Sequence, residues 1–191
     1  MSVLIDEDRD TTAMPALPDR YEVIDGEIVE VPEMGAYSSA VANTLRDHLY
    51  EFGKSSHSGR RPVMDMLFRV PLPDDESRNR RPDVAFISFD RWPQDKPIAY
   101  SGNPMEVVPD LVVEVASPSD SGDELLDKAD EYLRAGVRVV WIVFPLTKLA
   151  LIYEPNANPR AVRVHGQLDG GAAFPDLIIP MAGLFPPIVA D

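Results

Sequence analysis

With 191 residues and 45% hydrophobic composition, the chain suits one globular domain with a substantial core. Cysteine is absent, which excludes disulfides and thiolate metal sites. No apolar run is long enough for a membrane span and no basic, apolar leader is seen, so a cytoplasmic protein is the expectation. A formal net charge of −14 argues against broad, nonspecific attraction to nucleic acid, although residues 46–96 hold ten Lys+Arg against nine Asp+Glu and are near neutral.

Residues 1–19 combine Asp6, Glu7, Asp8, Asp10 and two prolines with small residues, the composition of a loose tail or short docking helix, which leaves 20–191 as a single domain. Two alternating runs flank Asp25-Gly26 between Tyr21 and Val31, predicting a β-hairpin with a type I′ turn in which Glu22, Glu27 and Glu30 take polar positions. A helix is predicted from Ser38 to about Phe52, with Val41, Leu45, Leu49 and Phe52 inward and His48 on the surface or in packing. Gly53–Arg61 reads as a polar loop, Met64–Val70 as a strand and Pro71–Asn79 as a charged loop. Arg78, Arg80 and Arg81 follow closely. The guanidinium fork suits phosphate, which makes them candidate phosphate contacts, whereas arginines in such a loop are also commonly just solvated. Val84–Ser88 reads as a buried strand with Asp83 at its entry, and residues 89–109, with Trp92 and Tyr100, as a long irregular connection that rims a cleft.

Asp110–Pro145 reads as strand, short loop, helix, strand. Leu111–Ala116 is an apolar run rich in valine, the pattern of a strand buried on both faces, and Glu114 interrupts it. After Ser117-Pro118-Ser119-Asp120 a helix begins near Gly122 and stops at Ala135-Gly136. Leu125, Ala129, Tyr132 and Leu133 form its apolar stripe, Glu124, Asp127, Glu131 and Arg134 its wet stripe, and Lys128 stands on or beside the buried face. Val137–Phe144 is a second buried strand, so the unit implies a parallel pair with a right-handed crossover. A buried carboxylate beneath a lysine needs a partner, a metal or water. A structural Glu114–Lys128 ion pair, a Glu114 facing solvent near the strand end and a functional site all fit this stretch alone.

If the strand from Val84 runs antiparallel to that from Leu111, the start of one lies beside the end of the other and Asp83 approaches Glu114. Two converging carboxylates repel unless a cation separates them, and such oxygen ligands suit Mg²⁺ or Mn²⁺. Leu149–Tyr153 and Ala161–Val164 then read as a terminal hairpin, Phe174–Pro180 as a short edge segment, and Leu184-Phe185 as an anchor. No Gly-rich phosphate loop, HExxH or GxSxG is present.

Pro82-Asp83, Glu114-Val115-Ala116 and Lys128 together resemble the PD-(D/E)XK nuclease superfamily, and the chain as a whole resembles its Uma-type restriction-endonuclease family. The resemblance runs through Tyr21-Glu22, Asp25-Gly26-Glu27, Arg81–Phe86, Pro109–Val115, Ser117-Pro118-Ser119, Tyr132, Ala135-Gly136-Val137, Trp141-Ile142-Val143 and Phe174-Pro175. It implies an α/β fold with a restriction-endonuclease-like core: a mixed β-sheet flanked by helices, with an N-terminal β-hairpin. It also implies Asp83 and Glu114 as metal ligands, with the Val115 carbonyl as a further oxygen. The superfamily lysine often lies two residues after the second acid, where this chain has Ala116; Lys128 takes its place from the following helix. Glu27, in the matching part of the hairpin, is a candidate extra acid. The chain has Tyr37 or Ser38, Glu124 and Phe144 where the family commonly has histidine, aspartate and aspartate.

The function so implied is Mg²⁺-dependent hydrolysis of DNA phosphodiesters, with Asp83, Glu114 and Lys128 catalytic, duplex DNA as partner and a homodimer expected by resemblance. Two other readings stand beside it: a nuclease-fold binding or scaffold module that does not cleave, and a metal-dependent phosphodiesterase for a small substrate, which suits the acidic balance better.

Overall fold

The structure is a computed structural model and describes residues 17–98, 103–118 and 120–187. Most of the expected N-terminal tail, Tyr100 and Ser119 lie outside them. The hairpin forms as its turn residues require: strands β1 (Tyr21–Ile24) and β2 (Glu27–Glu30) are joined through Asp25 and Gly26, both at positive φ. Helix α1 (Ala36–Ser56) buries Val41, Ala42, Leu45 and Leu49 along one stripe. It runs four residues past Phe52, into the expected polar loop. Gly53 makes that extension possible, because a Cβ there would lie 2.8 Å from the Phe86 ring.

The segment expected as one strand over Met64–Val70 is two. Asp65 sits at φ 51° and turns the chain from β3 (Val63–Met64), paired with β6 (Val84–Phe86), to β4 (Phe68–Arg69), paired with β5 (Asn79–Arg80). Alternating hydrophobicity continues across the break, so the break itself left no trace in the pattern. β5 also pairs with β1, giving a four-stranded sheet in the order β2-β1-β5-β4.

The central sheet contains β7 (Leu111–Val115), β8 (Val139–Phe144), β9 (Leu149–Tyr153) and β10 (Arg160–Arg163) in the order β10-β9-β8-β7-β6-β3. β7 and β8 are parallel, as their crossover helix α2 (Gly122–Arg134) requires, while β6 runs antiparallel to β7 with Val84 opposite Val113. Ser121 and Glu124 close a reciprocal capping box at the start of α2. Gly136, at φ 99°, follows its end. A last antiparallel pair joins β11 (Gln167–Gly170) to β12 (Phe174–Pro180), the expected edge segment.

Strand alternation divides the core. Leu111, Val113, Val115, Val84 and Phe86 pack toward α1, where Phe174, Leu177 and Leu184 join them. Val112, Ala85, Val140 and Ile142 pack toward α2 on Leu125, Ala129 and Tyr132. Glu114 has the parity of Val112 and therefore points at α2. No helix among the described residues is long and apolar enough to cross a membrane.

Candidate active site

One step beyond the β6–β7 register, Asp83 stands across from Glu114. The antiparallel expectation thus brings the two acids together, and Asp83 Oδ2 accepts the Val115 N–H at 2.6 Å. N–H and C=O of one residue leave a strand on the same edge, so the Val115 carbonyl also points to the Asp83 side. Glu114 is 4% exposed. Its Oε1 accepts the hydroxyl of fully buried Tyr132 at 2.7 Å, and its Oε2 lies 3.9 Å from Lys128 Nζ. Lys128 is held between two carboxylates, because Glu22 Oε1 lies 3.7 Å from the same nitrogen. Both separations are ion-pair distances too long for a direct hydrogen bond. These groups floor a cleft of about 380 Å³, walled by residues 29–34 after β1 and by the first turns of α2.

The electrostatics follow from this geometry. Burial, then repulsion from Glu114, pushes the Asp83 carboxyl well above the usual range. Burial raises Glu114 too, against the pull of Lys128. Glu114 first, and Glu22 after it, hold the Lys128 ammonium above its ordinary value, so it is a firmly protonated cation. The low-dielectric floor of Asp83, Glu114, Glu22 and Lys128 therefore carries two excess negative charges whenever all four groups are ionised.

Glu27, expected as an extra acid, stands exposed on β2 and does not line the cleft. Glu22 is the hairpin acid that reaches it: on β1, with the opposite parity to Tyr21 and Val23, it is 3% exposed. Of the three arginines expected as phosphate contacts, Arg80 and Arg81 line the cleft and Arg78 does not. Arg78 bonds to Glu131 at 2.6 Å and Asp25 at 2.8 Å and ion-pairs with Asp75. Arg80 bonds to Glu22 at 2.6 Å and Glu131 at 2.7 Å. Both are 7% exposed and serve as counter-ions to these acids. Arg81 donates to the Asp65 carbonyl at 2.6 Å, and its N–H donates to Glu22 at 2.9 Å. Glu131, assigned to the wet stripe, is drawn inward by the two arginines. Glu22 and Glu131 carry no sequence signal beyond ordinary alternation. Tyr132 does carry one, four residues after Lys128 on the same helix face.

No group of three or more His, Cys, Asp or Glu able to hold a metal ion is present among the described residues. The donor set is instead two mutually repelling carboxylates and a carbonyl, all hard oxygens. That fits Mg²⁺ or Mn²⁺, which use one or two carboxylates and complete their shells with water or substrate phosphate.

A nuclease-like fold is what this arrangement of sheet and helices defines: it superposes with a TM-score of 0.73 on a crystal structure described as a putative nuclease belonging to DUF820, from Anabaena variabilis. The two share 18% identity over 86% of this chain and 89% of the other. A family model described as "Putative restriction endonuclease" (Uma2) matches residues 10–182, and the chain belongs to that family. No curated protein matches it.

Proposed function

We propose that the chain is a divalent-metal-dependent endonuclease that hydrolyses DNA phosphodiesters at the Asp83–Glu114–Lys128 cleft. The observation that carries this reading is the convergence of Asp83 and Glu114 across the buried end of β7, with Lys128 Nζ 3.9 Å from Glu114. Such a pair is strained without a cation and relieved by one. Asp83, Glu114 and the Val115 carbonyl would hold Mg²⁺ or Mn²⁺. When bound, the ion supplies Lewis acidity to the scissile phosphate.

The remaining work belongs to the side chains. Lys128, kept protonated by its two carboxylates, is suited to stabilise negative charge growing on the phosphate and to orient the attacking water, rather than to take a proton from it. Glu22 and Glu114 hold the ammonium over the cleft floor. Arg80 bonds both Glu22 and Glu131 and lines the cleft beside them. Cleavage of both strands of a duplex would use two copies of the chain. The test is nicking and linearisation of plasmid DNA with Mg²⁺ and Mn²⁺, by the wild type and by Asp83→Asn and Glu114→Gln. Cleavage that both variants retain, in protein free of contaminating nuclease, rejects the assignment.

A small phosphodiester is a second reading, favoured by one observation: the cleft walls carry Glu30, Glu33, Asp120, Glu124 and Asp127, which repel a long polyanion. Competition between duplex DNA and a dinucleotide or bis(p-nitrophenyl) phosphate in one assay decides between them.

A further inference from the structure

We propose that Tyr132 is a positioning residue of this site, whose hydroxyl fixes the Glu114 carboxylate with Oε1 against α2 and Oε2 toward Lys128 and the cleft. The proposal rests on the metal-dependent reading above.

Glu114 and Tyr132 are both buried, yet their meeting is not required by packing. The helix offers Lys128 and Tyr132 four residues apart, on one face, to the two oxygens of one carboxylate. A carboxyl group turns readily about its last torsion, so an acid at a strand end can present either oxygen, or both, to a cation. A short charge-assisted bond of 2.7 Å from a phenol that is itself held on all sides removes that freedom. Lys128 at 3.9 Å is too distant to do so alone. The hydroxyl thus keeps one oxygen occupied by the protein and leaves the other on the cleft side. That side also holds Asp83, on the same face of the sheet. Partners of this kind, which touch a ligand and not the ion, typically alter metal affinity about 10- to 100-fold when removed.

The experiment compares Mn²⁺ binding by titration calorimetry in the full-length wild type and in Tyr132→Phe, which keeps the ring and loses only the hydroxyl. Far-UV circular dichroism and thermal melts verify the fold. Expected is binding weakened about tenfold in a folded variant. Equal affinity in wild type and variant overturns the positioning role alone. No binding by the wild type, with or without a short duplex, overturns both the metal reading and this proposal.

A second measurement needs no variant. The buried Tyr132 hydroxyl proton, bonded to a carboxylate, should give a slowly exchanging downfield NMR line that shifts and persists as Mg²⁺ is added to the wild type. A line that disappears on saturation shows the bond breaking when Glu114 meets the ion, and overturns the proposal. A merely structural hydroxyl leaves the line unmoved, which also counts against it.

Discussion

Strand β7 has a buried carboxylate at each end, and the two are treated in opposite ways. Asp110, just before its first residue, is fully buried. Its Oδ2 accepts the Ser88 N–H at 2.7 Å, and Oδ1 faces Arg91 at 2.9 Å and Arg138 at 3.2 Å. Two arginine ion pairs neutralise it and a backbone N–H bonds Oδ2, while Oδ1 makes ion pairs without an aligned hydrogen bond. Glu114, near the other end, has one tyrosine hydroxyl, a lysine at 3.9 Å and a second acid across the strand. A buried charge kept for structure is surrounded by short, opposite partners. One left under-neutralised beside a like charge is what a cation site requires before the cation arrives.

Substitutions at the two ends should therefore separate stability from activity. Glu114→Gln is expected to lower DNA cleavage at least about 1,000-fold, roughly 4 kcal/mol of barrier, because the Lewis-acid contribution is lost. Its melting temperature in chelator should stay level or rise; a fall of many degrees with partial activity would place Glu114 in the structural class instead. Asp110→Ala is expected to cost about 3 kcal/mol of stability, since it strands the Ser88 N–H and two arginines. Urea denaturation reads it, and any activity loss should vanish when the folded fraction is taken into account. Lys128→Met should reduce turnover about 100-fold at nearly unchanged Mn²⁺ affinity. Loss of metal binding as well would make the lysine a scaffold for the acids.

Acidity gives a subtler contrast. Asp83 and Glu114 hold protons in the folded chain at pH values where the unfolded chain has released them. Their contribution to stability is therefore complete below the ordinary carboxylate range and is lost as pH rises through the raised native values. In chelator, Asp83→Asn should gain stability relative to wild type as pH climbs from about 4 toward neutrality. Saturating Mg²⁺ should shrink that gain, because the ion offsets the same repulsion. A pH-independent difference in urea midpoint would contradict the electrostatic account. The smallest effect is expected at Glu27→Ala, on the exposed face of β2. Stability should change by no more than about 0.5 kcal/mol and cleavage not at all.

Much of the architecture was legible because it depends on local periodicity. Asp25-Gly26 dictated the hairpin, the valine-rich runs of β7 and β8 dictated a buried parallel pair, and the turn formers before Gly122 and the stop at Gly136 framed α2, whose N-cap Ser121 the structure supplied. The convergence of Asp83 and Glu114 was expected only if β6 and β7 ran antiparallel, and the structure supplied that direction. The break at Asp65 was hidden, since a left-handed residue between two short strands leaves hydrophobic alternation intact. β11 was hidden as well: Gln167-Leu168-Asp169-Gly170 has one large apolar residue, and its pairing with β12 provides the order.

The acids and arginines around the cleft mark the boundary most sharply. By itself the sequence determined that a carboxylate lay in an apolar strand, with a second acid at the entry to the preceding one and a lysine on the intervening helix. Those facts survive in one dimension because burial imposes a period. The tertiary structure alone decided that Glu22, not Glu27, joins them, and that Arg78 and Arg80 turn inward onto Glu131 and Glu22. It likewise gave Tyr132 a hydrogen bond to make. Charge pairing operates over a few ångströms between residues about 50 positions apart, and no local pattern encodes which of two neighbouring glutamates a distant guanidinium will meet.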